Sequence, residues 1–210
     1  MKHVAISEIL SWERFYRANF INTLSGFKSL SLIGTVNAAG QTNLGVFSNI
    51  VHIGADPALI GFVNRPREAA PHTLSNIEAT GSYTINHIHS EILEAAHQTS
   101  AKYPADISEF EAVGLTPEFR DDVAAPFVKE SKIQYALELS EILPIQTNGT
   151  YFVIGKLVSV YFDESILSED GFLDIGKAGS LTSLGLDAYY ETSLLKRLRY
   201  AKYNKVKSEK

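Results

Sequence analysis

The sequence predicts a mostly β protein, a β-barrel of antiparallel strands with helices inserted between them. Three observations predict it. At least six segments alternate or run apolar over strand length, the longest from Thr150 to Phe162. Turn signals separate them, among them Ala38-Ala39-Gly40-Gln41, Gly54-Ala55-Asp56-Pro57 and Asn148-Gly149. Strand–helix–strand units do not recur at regular spacing, as a doubly wound parallel sheet would require. The 210 residues show no repeat or clear linker, so the chain reads as one domain over 1–210 with room for a large core.

Each element has its own reason. Residues 7–24 carry Leu10, Phe15, Phe20 and Leu24 on a loose apolar face, which reads as a helix capped by Ser7 and ended by Gly26. Residues 27–37 read as a strand and 42–53 as its return, interrupted by Gly45 and Ser48-Asn49. Residues 58–63 form a short buried strand. Asn64 to His72 is a loop with two prolines and two arginines, after which Thr73 caps a short helix that Gly81 stops. Residues 82–87 alternate as a strand, and 90–99 read as a helix capped by Ser90. The span 100–130 reads as loop with a short helix near 107–112. Residues 133–139 and 150–162 read as strands, 163–190 as irregular, and the basic tail 193–210 as a fraying helix.

Composition closes off several functions. A net charge of −5 argues against general nucleic-acid binding, which depends on neutralising phosphates. The absence of cysteine removes disulfides, thiol nucleophiles and cysteine-held metals. No charged-then-apolar leader opens the sequence and no apolar run reaches membrane-spanning length, so the cytoplasm is the expected location.

Two apparent motifs fail. Gly171-Phe172-Leu173-Asp174-Ile175-Gly176-Lys177-Ala178 approaches a phosphate-cradling loop, but Ala178 has no hydroxyl for magnesium and no strand precedes it. His87, His89 and His97 lack a carboxylate at a convincing spacing, so no metal site is expected. The tail cations Lys196, Arg197, Arg199, Lys202 and Lys205 read as a solvated face.

Two polar clusters remain: Thr42-Asn43-Leu44-Gly45-Val46-Phe47-Ser48-Asn49, and Asn64-Arg65-Pro66-Arg67 leading to His72-Thr73-Leu74-Ser75-Asn76-Ile77. Turn chemistry alone accounts for any one of these residues. Small polar residues that interrupt buried strands also suit a ligand with many hydrogen-bonding edges. A basic loop before a helix start suits an anion, because free N–H groups and the helix dipole favour negative charge there. A flat heteroaromatic with a phosphate tail meets both demands.

In chain order, Gly34-Thr35-Val36, Gly40, Asn43-Leu44-Gly45-Val46-Phe47-Ser48, Asp56-Pro57, Asn64-Arg65-Pro66, His72-Thr73 with Asn76-Ile77, Gly81 and Ile85-Asn86 resemble the flavin reductase family with the FMN-binding split barrel. The likeness continues through Ala96-His97-Gln98-Thr99-Ser100, Phe110 to Thr116, Gly155 and Leu184-Gly185 with Tyr189, and spans about residues 14 to 190. It implies a six-stranded antiparallel split barrel and a homodimer with FMN at or near the subunit interface. Val46, Phe47, Ser48 and Asn49 would line the isoalloxazine ring, and Asn64 and Arg65 would approach its edge or the ribityl chain. Thr73 would meet the phosphate, and Ser100 and Lys102 would reach the phosphate or ribityl. Asn76 would join them or lock the loop from behind. Where the family often has a basic residue before the His-Thr pair, this chain has Pro71, so Arg65, Arg67 or Lys102 would supply the cation. Arg65 or an amide of Ser48-Asn49 would stabilise the reduced ring. The implied reaction is hydride transfer from NADH or NADPH to flavin N5, with no catalytic acid, base or nucleophile in the protein. The alternative is an FMN-binding electron-transfer or flavin-carrier protein without nicotinamide-dependent activity.

Overall fold

The computed structural model describes residues 1–104, 106–120 and 123–203. The chain begins with two helices, α1 (Ile6–Ser11) and α2 (Arg14–Leu24), where the periodicity predicted one. The break falls at Trp12, whose backbone is extended and whose ring packs edge-on against Tyr16 and Phe20. Glu13 then caps α2, its carboxylate accepting from the N–H groups of Phe15 and Tyr16 at 2.8 and 3.0 Å. Those bonds hold its pKa below the usual carboxylate range. Ser7 lies inside α1 and caps nothing.

The strands follow: β1 (Lys28–Ser29), β2 (Ser31–Val36), β3 (Thr42–Phe47), β4 (Ile50–Ala55) and β5 (Ala58–Asn64). Next come α3 (Pro71–Thr80), β6 (Ser82–His87), α4 (Leu93–Gln98) and α5 (Glu109–Val113). The expected loop at 100–130 also holds a hairpin, β7 (Pro117–Arg120) with β8 (Val123–Val128); Pro117 and Pro126 hid it, because proline is rare inside strands. The long pair β9 (Ile133–Ile145) and β10 (Thr150–Phe162) is joined at Asn148-Gly149, and β11 (Thr182–Leu184) and β12 (Ala188–Tyr190) order part of the span expected to be irregular. Residues 193–203 form no helix, and 204–210 lie outside the described residues. A short helix needs a packed face, and this segment finds none on its own chain.

One antiparallel sheet dominates, in the order β3-β2-β6-β9-β10-β5-β4. Its edges are β3 and β4, yet only Ser48 and Asn49 separate them in sequence. Laid flat, seven strands would hold these edges roughly 29 Å apart, whereas the three residue steps from Phe47 to Ile50 reach roughly 11 Å at most. The sheet must therefore curl until its edges meet, which makes a barrel with a seam at Ser48-Asn49. The expected six strands become seven because the predicted strand 42–53 is cut at this seam and changes partner, from β2 to β5.

Ile33, Phe62, Tyr83, Ile85, Leu137 and Val153 fill the barrel, and Leu74 and Ile77 of α3 pack on them. A second core lies between the strands and α4–α5, built on Leu32, Leu44, Ile88, Phe110 and Val128. Glycine is required where the barrel wall is tightest. A Cβ at Gly155 would stand 2.3 Å from the Tyr83 hydroxyl, and one at Gly34 would stand 2.3 Å from the Pro126 carbonyl oxygen. The curl that makes the cavity described next depends on these close approaches.

Candidate functional site

A cavity of about 660 Å³ opens at the seam, within the size range of small-molecule sites. Four segments wall it. The first is the end of β3 and the seam, with Val46, Phe47, Ser48 and Asn49. Gly45 keeps this wall clear: a Cβ there would sit 3.2 Å from the Phe47 ring. Phe47 is braced edge-on by Phe62 at 5.1 Å. Asn49 closes the seam, donating to the Val63 carbonyl at 2.9 Å and accepting from its N–H at 3.3 Å. Its side-chain amide is thereby engaged within the seam.

The second wall is the loop from Arg65 to Ala70 and the first turn of α3. The helix begins three residues earlier than predicted: Ala70 is the cap residue, Pro71 occupies the first turn and Thr73 lies inside it. No side chain caps α3, so the N–H groups of its first turn are open to a ligand. The Thr73 hydroxyl accepts from Asn43 Nδ2 at 3.2 Å, and the same amide donates to Thr35 at 3.2 Å. An amide nitrogen can only donate, so the Thr73 oxygen uses a lone pair on it and keeps its own proton to give. Thr73, uncapped N–H groups and the helix dipole thus converge on one spot suited to an anion.

The third wall is the end of α4 and the residues after it, with His97, Ser100, Lys102 and Tyr103. The fourth runs through Ser183, Gly185, Leu186, Asp187 and Tyr189. His97 Nδ1 hydrogen-bonds the Tyr189 hydroxyl, which ties these two walls together. Partial burial raises the Tyr189 pKa, so that hydroxyl stays protonated near neutrality. On the floor, buried Glu109 accepts from the Leu44 N–H at 3.0 Å.

Eight of the ten residues singled out in the sequence share this cavity: Val46, Phe47, Ser48, Asn49, Arg65, Thr73, Ser100 and Lys102. Asn64 and Asn76 do not. Asn64 is fully buried beneath the loop and donates to the carbonyls of Arg65 and Ala70 at 2.8 and 3.4 Å, which holds the loop from below. Asn76 does not line the cavity: it donates to the buried Thr35 hydroxyl at 3.1 Å and ties α3 to β2, the locking role left open for it. Arg67 is also elsewhere, paired with Glu78 and stacked 5.0 Å from the Tyr151 ring. Arg65 and Lys102 are the cations that line the cavity.

Sequence reasoning missed the fourth wall. Its only signal was Leu184-Gly185 with Tyr189, within a span read as irregular. His97 was weighed as a metal ligand, not as a wall residue. No group of three His, Asp or Glu among the described residues is placed to hold a metal.

The flavin reductase-like domain model matches residues 25–181. The chain belongs to this family. Its sequence is 49% identical to a structure from Shewanella frigidimarina NCIMB 400, whose assignment as a flavin reductase with split barrel domain is itself an inference. The match covers 96% of this chain and 100% of that one, with a TM-score of 0.92. Nitrilotriacetate monooxygenase component B from Bacillus cereus shares the fold at 18% identity and TM-score 0.83, covering 94% of this chain and 98% of that one. Flavoredoxin of Desulfovibrio vulgaris (Miyazaki F) shares it at 24% identity and TM-score 0.74, covering 85% and 94%. The mostly β split barrel and the flavin-related oxidoreductase family are thereby established for this chain. No helix among the described residues is long and apolar enough to cross a membrane.

The residues present fit a flavin. The seam supplies an apolar wall with backbone hydrogen-bonding groups for a ring. The α3 N-terminus, Thr73, Ser100 and Lys102 supply donors for a phosphate.

Proposed function

We propose that this protein is an FMN-binding, NAD(P)H-dependent flavin reductase that works as a cytoplasmic homodimer, each chain folded as one domain. The observation that carries this reading is the convergence, in one cavity, of the Val46–Asn49 wall with an uncapped helix N-terminus and Lys102. The first suits a planar ring and the second suits its anionic end.

Bound there, FMN would supply the redox chemistry by accepting a hydride from the nicotinamide at its N5. The chain's own residues would orient and polarise. Val46 and Phe47 would hold the ring, with the Ser48-Asn49 backbone at its polar rim. Thr73, Ser100, Lys102 and the first-turn N–H groups would hold the phosphate. Arg65 would stand at the ring edge, where a fixed cation favours the charge that reduction leaves behind. No proton-transferring residue is required.

The test is anaerobic mixing of the FMN-loaded protein with NADH and, separately, NADPH. Rapid loss of the flavin's visible absorption with either one is expected. A protein that binds FMN yet stays oxidised with both would instead be an electron-transfer or carrier protein. Failure to bind FMN at all would end the flavin reading.

A further inference from the structure

The two ends of the described chain are apolar and uncovered. In α2, six of the eleven residues are apolar, yet none is buried. Phe15 and Tyr16 are 75% and 65% exposed, and Ile6 and Leu10 of α1 extend the surface. A lone helix of this length is marginal in water without a packed face. At the other end, residues 191–203 run without regular structure and expose Leu194, Leu195, Leu198, Tyr200 and Tyr203. Leu195 is 98% exposed. Segments that stay disordered are poor in large apolar residues, and this one is rich in them.

We propose that residues 191–203 form an arm that one copy of the chain lays across α1–α2 of a second copy. The inference rests on the homodimer reading above and adds which surfaces meet. Three observations point to a second copy as the occupant. Ile6, Leu10, Phe15 and Tyr16 at one end and Leu194, Leu195, Leu198, Tyr200 and Tyr203 at the other are apolar surfaces that the chain's own fold leaves exposed.

The charge is also divided. Residues 1–190 hold 12 of the 19 Lys and Arg and 22 of the 24 Asp and Glu, a net −10. The arm opposes this with Lys196, Arg197, Arg199 and Lys202 against Glu191. The acidic body as a whole draws a basic arm, and α1–α2 themselves, with Glu8 and Glu13 against Arg14 and Arg17, are neutral and do not repel it. An anionic membrane would attract the arm but repel that body, and it would leave α1–α2 uncovered.

Finally, among the described residues the arm's side chains pair with its own body through Arg197. Arg197 pairs with Asp170 at 2.6 Å and lies 4.2 Å over the Phe172 ring, and the leucines on either side face outward. Two-fold symmetry would repeat the contact, so each copy both gives an arm and receives one.

The chain has no cysteine, which makes the test direct. Leu195→Cys and Phe15→Cys chains of different tagged mass are mixed as full-length proteins and oxidised. A disulfide joining the two tagged masses is expected, well above the level of either self-linked pair. The Leu195→Cys/Phe15→Cys double variant is expected to link between copies, and linkage within one chain overturns the proposal. In sedimentation, Leu194→Asp/Leu195→Asp/Leu198→Asp is expected to raise the dimer dissociation constant at least 100-fold. An unchanged constant overturns the proposal, and if this variant misfolds the cysteine mixture still decides. Wild-type protein that floats with phosphatidylserine vesicles, together with cysteine variants that form no inter-copy disulfide, overturns it in favour of a membrane. A wild-type monomer overturns the homodimer reading itself, without bearing on the flavin cavity.

Discussion

Two polar regions of this molecule use the same residue types in opposite ways. Behind β2, Asn86 donates to the Leu32 carbonyl and the Thr84 hydroxyl and accepts from the Val128 N–H, at 3.3, 3.0 and 2.9 Å. Thr84 in turn donates to the Pro126 carbonyl at 2.6 Å. Every polar atom in this cluster has its partner. At the seam, Thr73 keeps a proton to give, α3 is uncapped, and Arg65 and Lys102 have no ion pair among the described residues. A saturated network holds a fold together, whereas an unsaturated one in a cavity is available to a ligand. Substitutions in the two regions should therefore fail in different measurements.

The largest effect is expected in the saturated network. Asn86→Leu strands the buried Val128 N–H, whose isolation costs about 1–3 kcal/mol, and removes the amide's bonds to the Leu32 carbonyl and the Thr84 hydroxyl, about 1 kcal/mol each. A loss of about 3–5 kcal/mol is expected in equilibrium denaturation, with FMN affinity unchanged in the protein that remains folded. A variant of wild-type stability that had lost FMN would move Asn86 into the other class and undo the comparison.

His87 gives a pH test of the same core. It is half-buried with its Nδ1 2.9 Å from the Ser180 hydroxyl, and desolvation of the ring lowers its pKa to about 4. The unfolded chain takes up this proton near pH 6.5, before the folded chain does. The stability that His87 contributes is therefore complete above pH 6.5 and is lost as pH falls towards 4. The drop across that window is expected to approach about 3 kcal/mol. His87→Gln should flatten this part of the stability–pH curve. An unchanged slope would mean that His87 is not held neutral.

Lys102→Ala tests the cavity side. Loss of one charge-assisted contact to a phosphate corresponds to about 1.5–3 kcal/mol, or roughly 10- to 100-fold in affinity. FMN binding, followed by fluorescence quenching, is expected to weaken by that factor. Riboflavin has no phosphate, so its affinity should not change, and neither should the melting temperature of the ligand-free protein. Equal weakening of both ligands would place Lys102 away from the phosphate.

The same contrast explains what could be read from the sequence. The alternation in Thr150–Phe162 and the turn at Asn148-Gly149 are local signals, and they placed β10 to the residue. The split of 42–53 into β3 and β4 is not local: it exists because the sheet closes on itself, and Ser48-Asn49 marks the spot without saying why. Asn64 and Asn76 were grouped with the cavity because their side chains are the right kind. Only the burial and partners of each show that they hold the loop and helix in place. The predicted tail helix is absent over residues 193–203, where Leu194, Leu195 and Leu198 stay exposed and give a helix no packed face.

Arg67 should show the smallest effect, and it separates the three cations that sequence could not. Arg65, Arg67 and Lys102 were equal candidates for the anionic end of a ligand. Arg67 is held by Glu78 and by the Tyr151 ring, and the pairing keeps the Glu78 carboxyl below its usual pKa. Both partners are more than a third exposed, so solvent screens the pair and its contribution is about 0.2–1 kcal/mol. Arg67→Ala should therefore shift the denaturation midpoint only slightly and leave FMN affinity within about twofold of wild type, a change below about 0.4 kcal/mol. Arg67 would have to break both contacts to reach a phosphate at α3. A tenfold loss of FMN affinity in this variant, with riboflavin unaffected, would show that it does so. The anion site would then be assembled by the ligand, not preformed at the seam.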